Sequence, residues 1–157
     1  MKDIASFTID HTKLVPGVYV SRLDTIGTET ITTFDLRFTR PNIEPALENA
    51  PIHAIEHLGA TFLRNSSWAD KIIYFGPMGC RTGFYLILAG RLQSKDIIAL
   101  LQKMCSFILE FTGAIPGATA EGCGNYQDIN LATAKYHIKT WNRMLHSIDK
   151  TRTKYPH

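Results

Sequence analysis

Two histidines and a carboxylate lie close together in one short segment of the sequence, PIHAIEHLGATF at positions 51–62. His53 and His57 are four residues apart, and Glu56 lies between them. Residues at this spacing share one face of an α-helix, one turn apart, so the two imidazoles can bind one metal ion. Glu56 lies one residue round from that face, where a carboxylate can move protons beside a metal without binding it.

A third metal ligand can come from either of two downstream residues. Cys123 lies between two glycines in a loop rich in Gly and Pro, residues 113–124, where the backbone can approach closely. Two imidazole nitrogens and one thiolate would leave a fourth position open for water or substrate, as catalytic sites require. Glu110, in a helical segment, is the alternative, because the order H-x-x-E-H also occurs in metallopeptidases with the inverted zinc motif.

A second cysteine, Cys80, has the sequence context of a reactive thiol. It lies in GPMGCRTG, which indicates a tight turn between two strands, and Arg81 follows it. A nearby cation or metal lowers the pKa of a thiol and makes the thiolate available. The alternative is a buried, inert cysteine, which is our interpretation of Cys105, next to Met104 in an amphipathic segment.

Length and composition limit the class of protein. The chain has 157 residues, of which 45% are apolar, and this favours one globular domain spanning residues 1–157. The net charge is +3, and no basic stripe is interleaved with aromatic residues, so we expect no nucleic-acid partner. The basic residues near the C-terminus suggest a solvated tail. They are Arg143, Lys150, Arg152 and Lys154.

Neither a signal peptide nor a membrane span is expected. The start, MKDIASFTIDH, lacks a long apolar run and carries Asp3 and Asp10. The longest apolar run, GFYLILAG at 83–90, is much shorter than the ~18 residues of a transmembrane helix. Three cysteines are too few, and odd in number, for a disulfide framework. A cytoplasmic location is the simplest expectation, since that compartment is reducing.

Four segments have the alternation or the short apolar run typical of strands, at residues 18–23, 30–39, 71–75 and 83–90. In the second of them, TITTFDLRFT, the apolar side chains share one face and are expected to meet the core. Asp35 and Arg37 share the other face, which we expect to be exposed.

Three segments have helical spacing. The first follows Asn49 and carries Pro51 in its first turn. The second is expected to begin with Ser94 as its cap and to end before Gly113, and the third covers residues 128–148. Strands dominate the first half of the chain, helices dominate the second, and no β-α-β alternation is sustained. This pattern favours an α+β fold, an antiparallel β-sheet packed on one face by α-helices.

Five motifs occur in one order along the chain, and together they resemble the S-ribosylhomocysteine lyase (LuxS) family. They are SFTIDHTK at 6–13, FDLRFTRPN at 34–42, HAIEH at 53–57, PMGCRTGFY at 77–85 and GCG at 122–124. The resemblance extends from about Ser6 to Trp141. It implies a LuxS-like metalloenzyme fold and a homodimer with two sites at the subunit interface.

The resemblance also implies an activity. Members of this family are carbon–sulfur lyases that cleave S-ribosyl-L-homocysteine to L-homocysteine and 4,5-dihydroxy-2,3-pentanedione. The second product is the precursor of autoinducer-2, a quorum-sensing signal, and the reaction also serves the activated methyl cycle. The implied metal is one divalent ion per subunit, Fe(II), often replaced by Zn(II).

By the same resemblance, the metal ligands are His53, His57 and Cys123, and the acid/base groups are Cys80 and Glu56. The residues implied to contact the substrate are Ser6, His11 and Arg37.

Tyr74 departs from the pattern of the family. Several members have I-D-x-S-P-M-G-C where this chain has IYFGPMGC at 73–80, so Tyr74 replaces the acid. If that acid holds the amino group of homocysteine, this chain must hold it differently.

Two other functions fit the same residues. A small zinc metallohydrolase or peptidase would use Glu56 as its base and would not need Cys80. A structural metal site would be closed by a fourth ligand, such as Cys80, His11 or a nearby acid, and removing its metal would unfold the chain.

Overall fold

The strands form one four-stranded antiparallel sheet in the order β1-β2-β4-β3. The computed structural model describes residues 1–156. Its strands are β1 (Gly17–Ile26), β2 (Glu29–Arg37), β3 (Ile72–Pro77) and β4 (Gly83–Ala89). Its helices are α1 (Asn49–Arg64), α2 (Ser94–Glu110) and α3 (Leu131–His146). The α+β fold class expected from the sequence is therefore confirmed.

The core lies between one face of this sheet and the three helices. Alternate residues of the two central strands supply the sheet side of it, with Phe34 and Leu36 from β2 and Phe84 and Leu86 from β4, all fully buried. Burial of each such side chain stabilises the fold by about 1.5–3 kcal/mol. The period-two pattern of β2 thus faces the core as predicted.

Helix α1 is fixed against β3 by a glycine. A Cβ at Gly59 would collide with the ring of Phe75, so the absence of a side chain lets that ring lie directly on the helix. Ala54 and Leu58 are fully buried on this face, whereas Phe62 is only partly buried. With this face packed inward, the histidine side of α1 lies at the rim of the core.

Asp35 and Arg37 are buried, which corrects the expectation that they lie on an exposed face. Their relative exposures are 1% and 3%. The C-terminal segment covers them, because the hydroxyl of Tyr155 donates a hydrogen bond to Asp35 Oδ2 at 2.8 Å. The expectation of a solvated tail is also wrong for Arg152, whose Nη1 donates to the Pro16 carbonyl at 2.8 Å.

Helix boundaries differ from the expected ones by a few residues. The cap of α2 is Gln93 rather than Ser94, and the Asp96 carboxylate accepts the backbone N–H of Gln93 at 2.7 Å in a reciprocal capping box. Helix α3 begins after Asn130, whose side chain accepts from the N–H of Thr133 at 2.9 Å. Local side-chain capping therefore sets both starts.

Within residues 1–156, none of the helices has the length and apolar character that a membrane crossing requires.

Candidate active site

Three potential metal ligands converge between α1 and the loop that precedes α3. The Nε2 atoms of His53 and His57 are 3.0 Å apart, and Cys123 Sγ lies 3.2 Å from His53 Nε2. All three ligand atoms lie within 4.8 Å of one another. A tetrahedral ion with metal–nitrogen bonds of ~2.0–2.1 Å separates two nitrogens by about 3.3 Å. The spacing of this trio therefore fits one ion.

Backbone carbonyls orient both imidazoles. His53 Nδ1 lies 2.8 Å from the carbonyl oxygen of Asp128, and His57 Nδ1 lies 2.8 Å from that of Pro116. A carbonyl only accepts, so we assign the ring hydrogen of each histidine to Nδ1. Each Nε2 lone pair then points towards the common centre, the arrangement that proteins use to orient metal-binding histidines.

The loop rich in Gly and Pro delivers the third ligand. The N–H of Cys123 donates to the Thr119 carbonyl at 3.0 Å, and the N–H of Asn125 donates to Cys123 Sγ at 3.4 Å. Glu110, the alternative ligand, lies elsewhere, along a groove on α2 with Phe107. Of these two candidates, the structure brings only Cys123 to the histidines.

Glu56 lies beside the trio. Its Oε2 atom is 3.9 Å from His57 Nε2, and its side chain is 36% exposed. The carboxylate is outside the convergent set of ligand atoms, as its position on the helix predicted. A carboxylate at this distance from the histidines can exchange protons with a bound molecule without itself binding a metal.

Cys80 lies at the turn between β3 and β4 and is in contact with a buried hydroxyl. Its Sγ atom is 3.1 Å from Thr82 Oγ1 and 3.9 Å from Arg37 Nη1. Arg37 Nη1 also donates to Thr82 Oγ1 at 2.6 Å. A guanidinium has donors only, so the hydroxyl accepts from Arg37 and keeps its own hydrogen for the sulfur.

These contacts favour the thiolate of Cys80. Partial burial by itself raises the pKa of this thiol, but the hydrogen bonds from the Thr82 hydroxyl and backbone and the charge of Arg37 outweigh it, and the pKa is lowered. The nearby cation is thus Arg37, whereas Arg81 adopts a positive φ of 59° in the turn and is exposed. Cys105 behaves as predicted, because full burial raises its pKa to about 12.

The three residues that the resemblance implies as substrate contacts line two different clefts. Arg37 and His11 line one cleft with Cys80, of about 340 Å³. Ser6 lines another cleft, of about 240 Å³, together with Tyr74. The clefts that contain these residues do not include His53, His57 or Cys123, so the chain presents the predicted site residues as separate groups.

Tyr74 occupies space that a side chain at position 76 would need. It is 48% exposed, and a Cβ added to Gly76 would overlap its hydroxyl group. The family pattern I-D-x-S-P-M-G-C has serine at this position, so the tyrosine and the glycine of this chain depart from that pattern together.

Sequence reasoning missed three residues of the Cys80 region. Asp35 pairs with Arg37 through Oδ2 to Nη2 at 2.6 Å and Oδ1 to Nε at 3.1 Å. The opposite charges two residues apart on a strand were a sequence signal for this pair. Nothing in the sequence indicated that the pair is buried. Thr82 follows Cys80 by two residues and carried no signal by itself. Nothing in the sequence near Tyr155 indicated that it would reach Asp35.

Comparison with known proteins gives a consistent result. The chain matches the model of the family described as S-Ribosylhomocysteinase (LuxS) over residues 4–152. It is 56% identical over 157 residues to the S-ribosylhomocysteine lyase of Clostridium acetobutylicum, covering 99% of both chains. It is 58% identical over 158 residues to that of Clostridium beijerinckii, covering 99% of both chains. It is 56% identical to that of Borreliella afzelii, over 99% of this chain and 100% of the relative.

Proposed function

The chain belongs to the S-ribosylhomocysteinase (LuxS) family, and on this premise we propose that it is an S-ribosylhomocysteine lyase. It cleaves the thioether of S-ribosyl-L-homocysteine and releases L-homocysteine and 4,5-dihydroxy-2,3-pentanedione, the precursor of autoinducer-2. The observation that carries the proposal is the convergence of His53, His57 and Cys123, with both Nδ1 atoms engaged by carbonyls. Such a site needs no fourth protein ligand and leaves a position for substrate.

The reaction sets a requirement for proton carriers. Cleavage of a thioether at an unactivated sugar carbon is slow, but a carbonyl moved along the sugar to C3 makes the C4 proton acidic. The homocysteine thiolate can then leave from C5 by β-elimination. Each carbonyl shift removes one proton from the substrate and delivers another. The protein must therefore place acid/base groups beside the substrate.

A divalent metal held by the trio, Fe(II) in our proposal with Zn(II) as the alternative, supplies Lewis-acid polarisation of the substrate. Cys80 Sγ, whose pKa is lowered by its contacts with Thr82 and Arg37, takes up and returns protons. Glu56 Oε2, beside His57, is the second carrier. We propose Ser6, His11 and Arg37 as contacts to the substrate, with Arg37 also holding Cys80.

We further propose that the protein acts as a homodimer with its sites at the subunit interface. The metal-binding trio and the Cys80 cleft are separate groups in one subunit, and a second subunit can complete each site. Exposed apolar side chains support an interface, among them Phe7 at 76% and Ile73 at 44% exposure. The three free cysteines suit a reducing cytoplasm, which is the proposed location.

Thiol release tests the function. Protein loaded anaerobically with Fe(II) is incubated with S-ribosylhomocysteine, and free homocysteine is followed with a thiol reagent. We expect release by the unaltered protein, loss in His57→Ala and Cys80→Ala, and retention in His146→Ala, which removes an exposed histidine of α3. No release from folded, metal-loaded protein would refute the proposal. Homocysteine release that survives in Cys80→Ala would show that Cys80 is not a required proton carrier.

A further inference from the structure

A buried ion pair lies behind Cys80. Both oxygens of Asp35 accept from Arg37, at 2.6 Å from Nη2 and 3.1 Å from Nε. The two side chains are 2% and 3% exposed, so both charges are removed from water. A buried pair is favourable only when its geometry is good and its remaining hydrogen-bonding groups are satisfied. The groups that complete this pair therefore decide how firmly Arg37 is held.

Tyr155 completes the pair on the carboxylate side. Its hydroxyl donates to Asp35 Oδ2 at 2.8 Å, the same oxygen that accepts Nη2. Its ring stacks on Tyr19 with centroids 4.8 Å apart and planes 10° apart. Burial, and after it the charge of Asp35, raises the pKa of Tyr155, so the phenol stays protonated and remains a donor.

On the other side, Arg37 reaches the reactive thiol. Its Nη1 atom donates to Thr82 Oγ1 at 2.6 Å and lies 3.9 Å from Cys80 Sγ. A continuous series of contacts thus runs from the C-terminal segment through Asp35 and Arg37 to the sulfur. Tyr155 takes part in it although it touches neither Cys80 nor the cleft that Cys80 lines.

We propose that Tyr155 is a positioning residue for the reaction, which through Asp35 holds Arg37 in the orientation that stabilises the Cys80 thiolate. The proposal rests on the proposed function in so far as Cys80 carries protons there. Loss of the Tyr155 hydroxyl should destabilise the Cys80 thiolate in two ways. Asp35 loses a donor, so its negative charge is less neutralised near the sulfur, and the carboxylate that orients Arg37 is held less firmly.

Other titratable groups also surround Cys80, and the test must separate them from Tyr155. They are Arg37 on β2, Tyr85 on β4, His11 on the N-terminal segment, Glu44 in the loop before α1, and Arg81 next in the chain. None of these residues is altered by a change at position 155, and Phe at that position keeps the ring that stacks on Tyr19.

The test measures the thiolate directly. Metal-loaded Tyr155→Phe is treated with iodoacetamide across a range of pH, and alkylation of Cys80 is quantified by peptide mass spectrometry. We expect the midpoint of the rate profile to rise by at least about 0.5 pH unit relative to the unaltered protein. The matched control is Tyr19→Phe, which also removes a phenol hydroxyl, one that donates to the Val15 carbonyl at 2.7 Å. Its midpoint is expected to stay unchanged.

Two results would overturn the inference. One is a midpoint in Tyr155→Phe within about 0.2 pH unit of the unaltered protein. The other is an equal rise in both variants, which would show general loosening of the C-terminal segment. Neither alkylation result depends on turnover of the substrate. A protein that releases no homocysteine would refute the proposed function and leave the alkylation profiles to decide the role of Tyr155.

Discussion

The Nδ1 atom of His57 lies 2.8 Å from the carbonyl oxygen of Pro116, a residue 59 positions further along the chain. This contact ties α1 to the loop that carries Cys123. It fixes the ring orientation of one proposed metal ligand with the same segment that supplies another. The loop therefore belongs to the metal site as much as the helix does, and its backbone geometry should control metal affinity.

Gly117→Ala should weaken metal binding. Gly117 has a φ of +73°, and a Cβ there would lie 3.4 Å from His57 Nδ1, so alanine strains the loop beside the ring. Loss of such support to a ligand lowers metal affinity by about 10–100-fold. Competition with a chelator measures it. Gly113→Ala is the matched control, because its φ is +93° with nothing near the added Cβ, and it should lower stability without this loss of affinity.

Thr82→Val should shift the acidic limb of the pH profile of kcat/KM upward. The valine keeps the shape of the buried side chain but removes the hydroxyl that donates to Cys80 Sγ. That hydrogen bond lowers the pKa of Cys80, so its loss raises the pKa. The variant should therefore lose thiolate at the lower end of the pH range and regain it at higher pH. Thr140→Val, exposed on α3, should leave the profile unchanged. A profile identical in both variants would contradict the role of Thr82.

Asp35→Ala should be strongly destabilising. It leaves the guanidinium of Arg37 buried without its counter-charge, which costs about 3–5 kcal/mol of unfolding free energy. Denaturant unfolding measures the change. The exposed pair Arg22 and Asp24 provides the comparison, since Asp24→Ala breaks a contact of the same 2.6 Å length at a cost of less than about 1 kcal/mol. Similar losses of unfolding free energy in the two variants would show that burial does not determine the cost of breaking the pair.

Gly76→Ser should be better tolerated when Tyr74 is also changed. A side chain at position 76 would overlap the Tyr74 hydroxyl, so the single substitution should lower the melting temperature. Tyr74→Asp combined with Gly76→Ser removes that overlap, and the double variant should regain most of the loss. The melting temperatures of the unaltered protein, the two single variants and the double variant give the coupling between positions 74 and 76. Additive effects would argue against the contact.

Much of the site could be predicted because its signals are local. His53, Glu56 and His57 fall on one helix, where the 3.6-residue period alone decides which side chains share a face. The turn around Cys80 was readable from its glycines. The apolar alternation of β2 indicated its core face, and the order of strands and helices indicated the α+β class.

Other features needed the tertiary structure. The choice of Cys123 over Glu110 depends on a loop that meets a helix 70 residues earlier, a closure that no local pattern encodes. Asp35 is covered by Tyr155, which lies 120 residues further along the chain. Alternation along a strand shows which residues share a face, but it does not show what covers that face. The sequence by itself thus determined the local elements and the helix that carries the two candidate histidine ligands. Only long-range packing decided the third ligand and the environment of the Cys80 thiol.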